Sequence, residues 1–257
     1  MTGDTLPDRR RKRDVKTASK AVRFLITCEH GGNRIPAKYW PLFKNHRSLL
    51  ESHRGYDPGA LATAREFAAA VGAELVYSTT SRLLVELNRS PHHHQLFSDI
   101  TQALPAPERG RVLARYYFPY REWVQEQVRS ATASGARVLH VSCHSFTPRL
   151  AGVERRADVG LLYDPRRPAE RDLCKAWQRE LESARPGLIV RRNYPYRGYA
   201  DGVTTDLRRR HPDREYAGVE LEVNQKFPLG EPEAWRALRK LLLATFQRAI
   251  EHSPFCR

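Results

Sequence analysis

Strand-length apolar runs alternate with helix-patterned segments along nearly the whole chain, and this alternation leaves few folds open. "VRFLITC" at 22–28 reads as a strand. "DPGALATAREFAAAVG" at 57–72 reads as a helix, with Asp57 as a possible N-cap and Gly72 as its stop. "AELVYSTT" and "LLVELN" are short β-rich runs, and "ERGRVLARYYFPYREWVQEQVRSATASG" carries helical periodicity interrupted at Pro119 and stopped at Gly135. "ARVLHVSCHSF" at 136–146 is the strongest strand, and "DVGLLYD" is another. A helix over 168–184, the short strand "LIVRRN", a long polar loop, the strand "AGVELEVNQK" and a C-terminal helix complete the pattern. The order predicts an α/β fold with helices on both faces of a largely parallel or mixed sheet.

The chain has 257 residues, 40% of them hydrophobic, and nothing in its middle reads as a linker, so one domain over 21–257 is expected. Residues 1–20 carry seven Lys or Arg against three Asp, a net +4 out of the whole chain's +15, and this basic tail is expected to be disordered. The other arginines are mixed with glutamates in segments such as "RDLCKAWQRELESARP", as on a solvated helix face. No helix-turn-helix, zinc-finger or aromatic RNA-binding signature accompanies them, so no specific nucleic-acid partner is expected. With no apolar stretch of membrane-spanning length and no secretory signal, a soluble cytoplasmic protein without a membrane partner is expected. Cys28, Cys143, Cys174 and Cys256 lack CxxC spacing, which argues against disulfides and against a thiolate zinc site.

Dinucleotide, P-loop and nucleophile-elbow motifs are absent from the sequence. Polar residues instead gather where strands should end. In "ITCEHGGNRIP" the run ending at Cys28 is followed by Glu29, His30 and two glycines, so both side chains fall at a strand's carboxyl end, where ligands bind in open α/β sheets. In "RVLHVSCHSFTP" residues 138, 140, 142 and 144 share one face, and His144 is the last before the turn residues. His140, one period deeper, reads as a hydrogen-bonded core histidine. Glu220, Glu222 and Asn224 alternate with Val219, Leu221 and Val223, so two carboxylates share a strand face. Two histidines and a carboxylate form the ligand set of a mononuclear catalytic zinc site, and a further glutamate would be its general base. Arg82, Asn88 and Arg89 cluster in "SRLLVELNRSP", and a guanidinium offers a planar fork for a substrate carboxylate, the alternative being a surface arginine paired with Glu86. The run His92-His93-His94 reads as a polar loop, because consecutive residues diverge on any regular element.

Taken together, "EHGGNRIP", "HRGYDPGALATA", "SRLLVELNRSPHHHQLFSD", "YYFPYREWV", "HVSCHSFTP", "DVGLLYDP", "NYPYRGYADGVTT" and "GVELEVNQ" resemble the N-formylglutamate amidohydrolase family, in its order and over about residues 24 to 227. That family is similar in fold to zinc carboxypeptidases and aspartoacylases, which implies a three-layer α/β/α sandwich around a mixed, largely parallel sheet. "VELNR" resembles the aspartoacylase "DLNR", with Glu86 for the aspartate. The resemblance implies one Zn2+ or another divalent metal on His30 and His144, Glu222 as the base that activates water, and Arg82, Asn88 and Arg89 around the carboxylate of a small-molecule substrate. Carboxypeptidases place a glutamate three residues after the first histidine, where this chain has Asn33, a poor zinc ligand. Asp57 is the preferred third ligand and Glu29 the fallback, and the paired glycines are expected to let backbone pass close to a bound ion or substrate. The implied reaction cleaves the amide of an N-acyl acidic amino acid, N-formyl-L-glutamate giving formate and glutamate. The alternatives are another N-acyl amino acid or small peptide, or a basic protein on an inactive hydrolase scaffold binding an anion or nucleic acid. The intact set His30, His144, Glu222 and Arg89 favours chemistry.

Overall fold

The structure is a computed structural model that describes residues 21–257, so the basic tail at 1–20 lies outside the described residues. Eight strands are present among them: β1 Val22–Cys28, β2 Glu74–Tyr77, β3 Arg137–Phe146, β4 Arg149–Leu150, β5 Val153–Glu154, β6 Val159–Leu162, β7 Val190–Arg192 and β8 Tyr216–Asn224. The α-helices are α1 Trp40–Phe43, α2 Arg47–Glu51, α3 Ala60–Val71, α4 Asp99–Gln102, α5 Ala106–Val112, α6 Phe118–Ala133, α7 Pro168–Ala184, α8 Val203–Arg210 and α9 Pro232–Glu251. Six strands form one sheet in the order β2-β1-β3-β8-β6-β7. Every pairing in it is parallel except β6 with β8, so the sheet is mixed and mostly parallel, as expected. Strands β4 and β5 make a separate antiparallel hairpin.

The period-two pattern of β1, β3 and β8 divides their side chains between two faces. Ile26, Cys28, Leu139, Val141, Cys143, Val219, Leu221 and Val223 pack on one side against Phe67 of α3, Trp177 of α7 and Phe246 of α9. Those three rings meet with centroids 4.9–6.0 Å apart, and the buried Trp177 indole donates to the Thr245 hydroxyl at 3.1 Å. On the other face Leu25, Val76, Val138 and Tyr216 pack against α6 and α8 through Tyr120, Val124, Val128, Val203 and Leu207. Burying both faces accounts for the near-continuous apolar runs of the parallel strands.

Two expectations are corrected here. "LLVELN" is no strand: residues 82–90 form successive turns, and Leu83, Leu84, Val85 and Leu87 are apolar because they pack into the second core. Around Pro119 the helix does not simply break. A π-helical turn over Leu113–Tyr117, closed by the Phe118 amide on the Leu113 carbonyl, joins α5 to α6, and Pro119 lies in the first turn of α6, where a missing N–H is tolerated.

Candidate metal centre and catalytic cavity

Strands β1, β3 and β8 run parallel, so their carboxyl ends open at one edge of the sheet. There the polar face of β3, expected from alternation, delivers His144, while the turn after β1 delivers His30 and the turn before α3 delivers Asp57. All three are buried, and one ligand atom from each lies within 4.8 Å of the others. Asp57 Oδ2 stands 3.2 Å from His30 Nδ1 and 2.9 Å from His144 Nδ1. Two ligands at about 2.0–2.1 Å from a tetrahedral zinc ion stand roughly 3.3 Å apart, so these spacings suit one ion. Asp57 does not cap α3, whose N-cap is Gly59 without a side-chain hydrogen bond.

The far nitrogen of each ring is held by another carboxylate. His30 Nε2 meets Glu86 Oε1 in a very short contact, and Glu86 Oε2 accepts from Arg82 Nε at 2.7 Å. His144 Nε2 lies 2.9 Å from the Ser142 hydroxyl and 3.2 Å from Glu29 Oε2. With both Nε2 atoms taken up by those partners, each Nδ1 is turned to the Asp57 carboxylate. Asp57 Oδ2 and the two Nδ1 atoms are spaced so that one cation can be shared among them, which is how the residues present fit a metal. Desolvation opposes the charge on Asp57, yet His30, His144 and Arg82 hold its pKa well below the usual carboxylate range. Arg82 and His30 likewise overcome burial at Glu86. Glu29, the fallback ligand, stands behind His144 rather than beside Asp57 in the ligand group.

Glu222 is paired in register with His144 across β3 and β8, and opposite Gly160 on β6. A Cβ at Gly160 would sit 2.1 Å from the Tyr194 carbonyl and 3.1 Å from Glu222 Cβ, so only glycine admits this close packing. Glu222 is 5% exposed, its Oε2 has no hydrogen-bond partner, and burial foremost, helped by Asp57 and Glu220, pushes its pKa up to about 8. Glu220 accepts the Thr204 hydroxyl at 2.6 Å instead.

These groups line a cavity of about 560 Å³ together with Arg82, Asn88, Arg89, His53, Tyr196 and Arg197. The Asn88 side-chain oxygen accepts from the Val203 amide at 2.8 Å, leaving its Nδ2 3.5 Å from His144 Nε2. Arg89 Nη1 is anchored on the Asp201 carbonyl at 2.5 Å. Arg82 lines the cavity and is ion-paired, to Glu86 and to Asp57 at 3.3 Å. His53, Tyr196 and Arg197 were not singled out from sequence, although "NYPYRGYADG" held two of them; Glu86 was seen only as a partner for arginine. His92, His93 and His94 lie in turns outside the ligand group, and Cys28, Cys143 and Cys174 are buried free thiols. Gly31 and Gly32 are crowded by backbone, since Cβ atoms there would lie 2.8 Å from the Ser78 and Thr79 carbonyls, so the segment after β2 requires glycine at both positions.

The family model for N-formylglutamate amidohydrolase matches residues 22–228. A search of curated proteins finds no match. Among solved structures, a gene product of Agrobacterium tumefaciens is 32% identical, with 91% of this chain and 92% of that one covered and a TM-score of 0.76. N-formylglutamate amidohydrolase from Ralstonia eutropha JMP134 is 20% identical, covers 91% and 94% respectively at a TM-score of 0.68, and bears on the fold. With the match running from β1 past the end of β8, this chain belongs to the N-formylglutamate amidohydrolase family.

Proposed function

We propose that this amidohydrolase is metal-dependent, holding one Zn2+ on His30, Asp57 and His144 and cleaving the amide of an N-acyl acidic amino acid, N-formyl-L-glutamate foremost. The observation that carries the reading is the convergence of the two Nδ1 atoms on Asp57 beside a buried carboxylate, Glu222, with an unpartnered oxygen. Zinc bound there supplies Lewis acidity, polarising the amide carbonyl and making water acidic enough to deprotonate near neutral pH.

The side chains do the rest. Glu222 takes a proton of the attacking water and returns it to the departing nitrogen, and the water's second proton also ends on that nitrogen, so that amide and water become formate and an ammonium group. Its shortage of hydrogen-bond partners keeps an acceptor directed at water rather than at protein. Arg89 and Asn88 hold the carboxylate of the amino acid, their backbone anchors at Asp201 and Val203 fixing the fork before substrate arrives. Arg82 adds positive charge beside the metal ligands while restraining Asp57 and Glu86.

The test is metal content of the purified protein followed by formate release from N-formyl-L-glutamate, before and after chelation. Metal-dependent release supports the reading. Turnover confined to other N-acyl amino acids would move the substrate and keep the site. A metal-free protein with no hydrolysis but salt-dependent DNA binding would replace the reading by that of an anion-binding scaffold.

A further inference from the structure

Glu29 is a charged side chain with no solvent exposure, placed on the sheet face behind the candidate centre. Burying a carboxylate is costly unless each oxygen is satisfied, and here both are. The Tyr120 hydroxyl donates to Oε1 at 2.8 Å, and the Ser142 hydroxyl donates to Oε2 at 2.7 Å. A hydroxyl has one hydrogen. Since Ser142 spends it on the carboxylate, its oxygen can only accept from His144 Nε2 at 2.9 Å, and Glu29 Oε2 itself accepts from the same nitrogen at 3.2 Å. The direction of every hydrogen bond in this chain is therefore set by the acid that ends it. Nε2 must carry a proton, which leaves Nδ1, 2.9 Å from Asp57 Oδ2, as the nitrogen an ion can claim.

We infer that Glu29 is a positioning residue for the metal centre: directly and with Ser142 as an auxiliary bridge, it fixes the tautomer and ring orientation of His144 so that Nδ1 is the atom offered to the ion. The inference rests on the proposed zinc reading for the atom's use, while the tautomer itself belongs to the polypeptide. An isosteric amide reverses the polarity. In Glu29→Gln the side-chain NH2 can donate toward Ser142 or His144, Ser142 is then free to donate its own hydrogen to Nε2, and the proton of His144 moves to Nδ1, where it blocks metal.

Two measurements test this. In nitrogen-15 spectra of the metal-free parent protein, His144 should show a slowly exchanging Nε2–H; a ring protonated only at Nδ1 would overturn the inference without recourse to any variant or metal. Zinc affinity, read by competition with a chromophoric chelator, should fall roughly ten- to a hundredfold in Glu29→Gln, the range expected for losing such an outer partner. In Ser142→Ala, where the carboxylate still accepts directly, it should fall less than about threefold. Unaltered affinity in Glu29→Gln, or an equal loss in Ser142→Ala, would overturn the role given to the acid. A parent protein that binds no zinc at all would remove the proposed function but leave the spectroscopic test of His144 standing.

Discussion

Glu222 and His144 stand directly opposite each other on adjacent parallel strands, one with an unpartnered buried oxygen and the other in the candidate ligand set. Glu220 shares the strand face two residues earlier but is occupied by Thr204. Glu222→Gln should therefore keep fold and metal and lose about two to four orders of magnitude in kcat, the usual worth of a positioned base. Glu220→Gln should lose much less. Steady-state rates measured with metal content decide it, and the reverse ranking would make Glu220 the base.

The two arginines separate by their partners. Arg89 reaches backbone carbonyls, whereas Arg82 braces two carboxylates of the candidate centre. Arg89→Ala should raise KM for an acidic substrate about ten- to a hundredfold, equivalent to losing a charged hydrogen bond of about 1.5–3 kcal/mol, and leave metal content intact. Arg82→Ala should raise KM and also weaken metal retention, because Asp57 and Glu86 lose their cation. If both variants bind metal as the parent does, the bracing role of Arg82 is wrong.

The strand-and-helix order was legible because the sheet is buried on both faces, which writes β1, β3 and β8 as apolar runs with polar insertions of period two. The helix expected at about 168–184 is α7, since its amphipathic period marks it locally. The turns at 82–90 were misread as a strand because their leucines answer to a tertiary core and not to local alternation. His30, Asp57 and His144 could be named one by one from strand and helix ends, but their meeting depends on β1 and β3 being neighbours, which residue spacing does not encode. Glu86 as the partner of His30 was hidden for the same reason, as the two are 56 positions apart.

Asp57 is the member of the candidate ligand set that sequence left least determined, so it is the most informative to change. Asp57→Asn preserves shape but removes the charge that two imidazoles and Arg82 surround. Metal stoichiometry by elemental analysis should drop well below that of the parent, with the far-ultraviolet dichroism unchanged. Full metal occupancy in this variant would point to a different third ligand.

His140 gives a pH test away from the ligand group. It is fully buried, its Nε2 lies 2.9 Å from the Thr27 hydroxyl and its Nδ1 2.8 Å from the Tyr216 hydroxyl, so neutral partners hold both nitrogens. Burial foremost, which Glu29 only partly offsets, lowers its pKa from 6.5 to about 4. Between those values the unfolded chain takes up a proton that the folded protein refuses. Folding stability is thus unaffected by this group above about pH 6.5, falls as the pH drops, and levels off below about 4 after a loss of order 3 kcal/mol. The other buried acids and His144 titrate too, so the measurement is a difference. Urea unfolding of the metal-free protein across pH 4–7 should show a slope shallower in His140→Gln than in the parent by up to about 1.4 kcal/mol per pH unit. Parallel curves for the two proteins would mean that folding does not lower the pKa of His140.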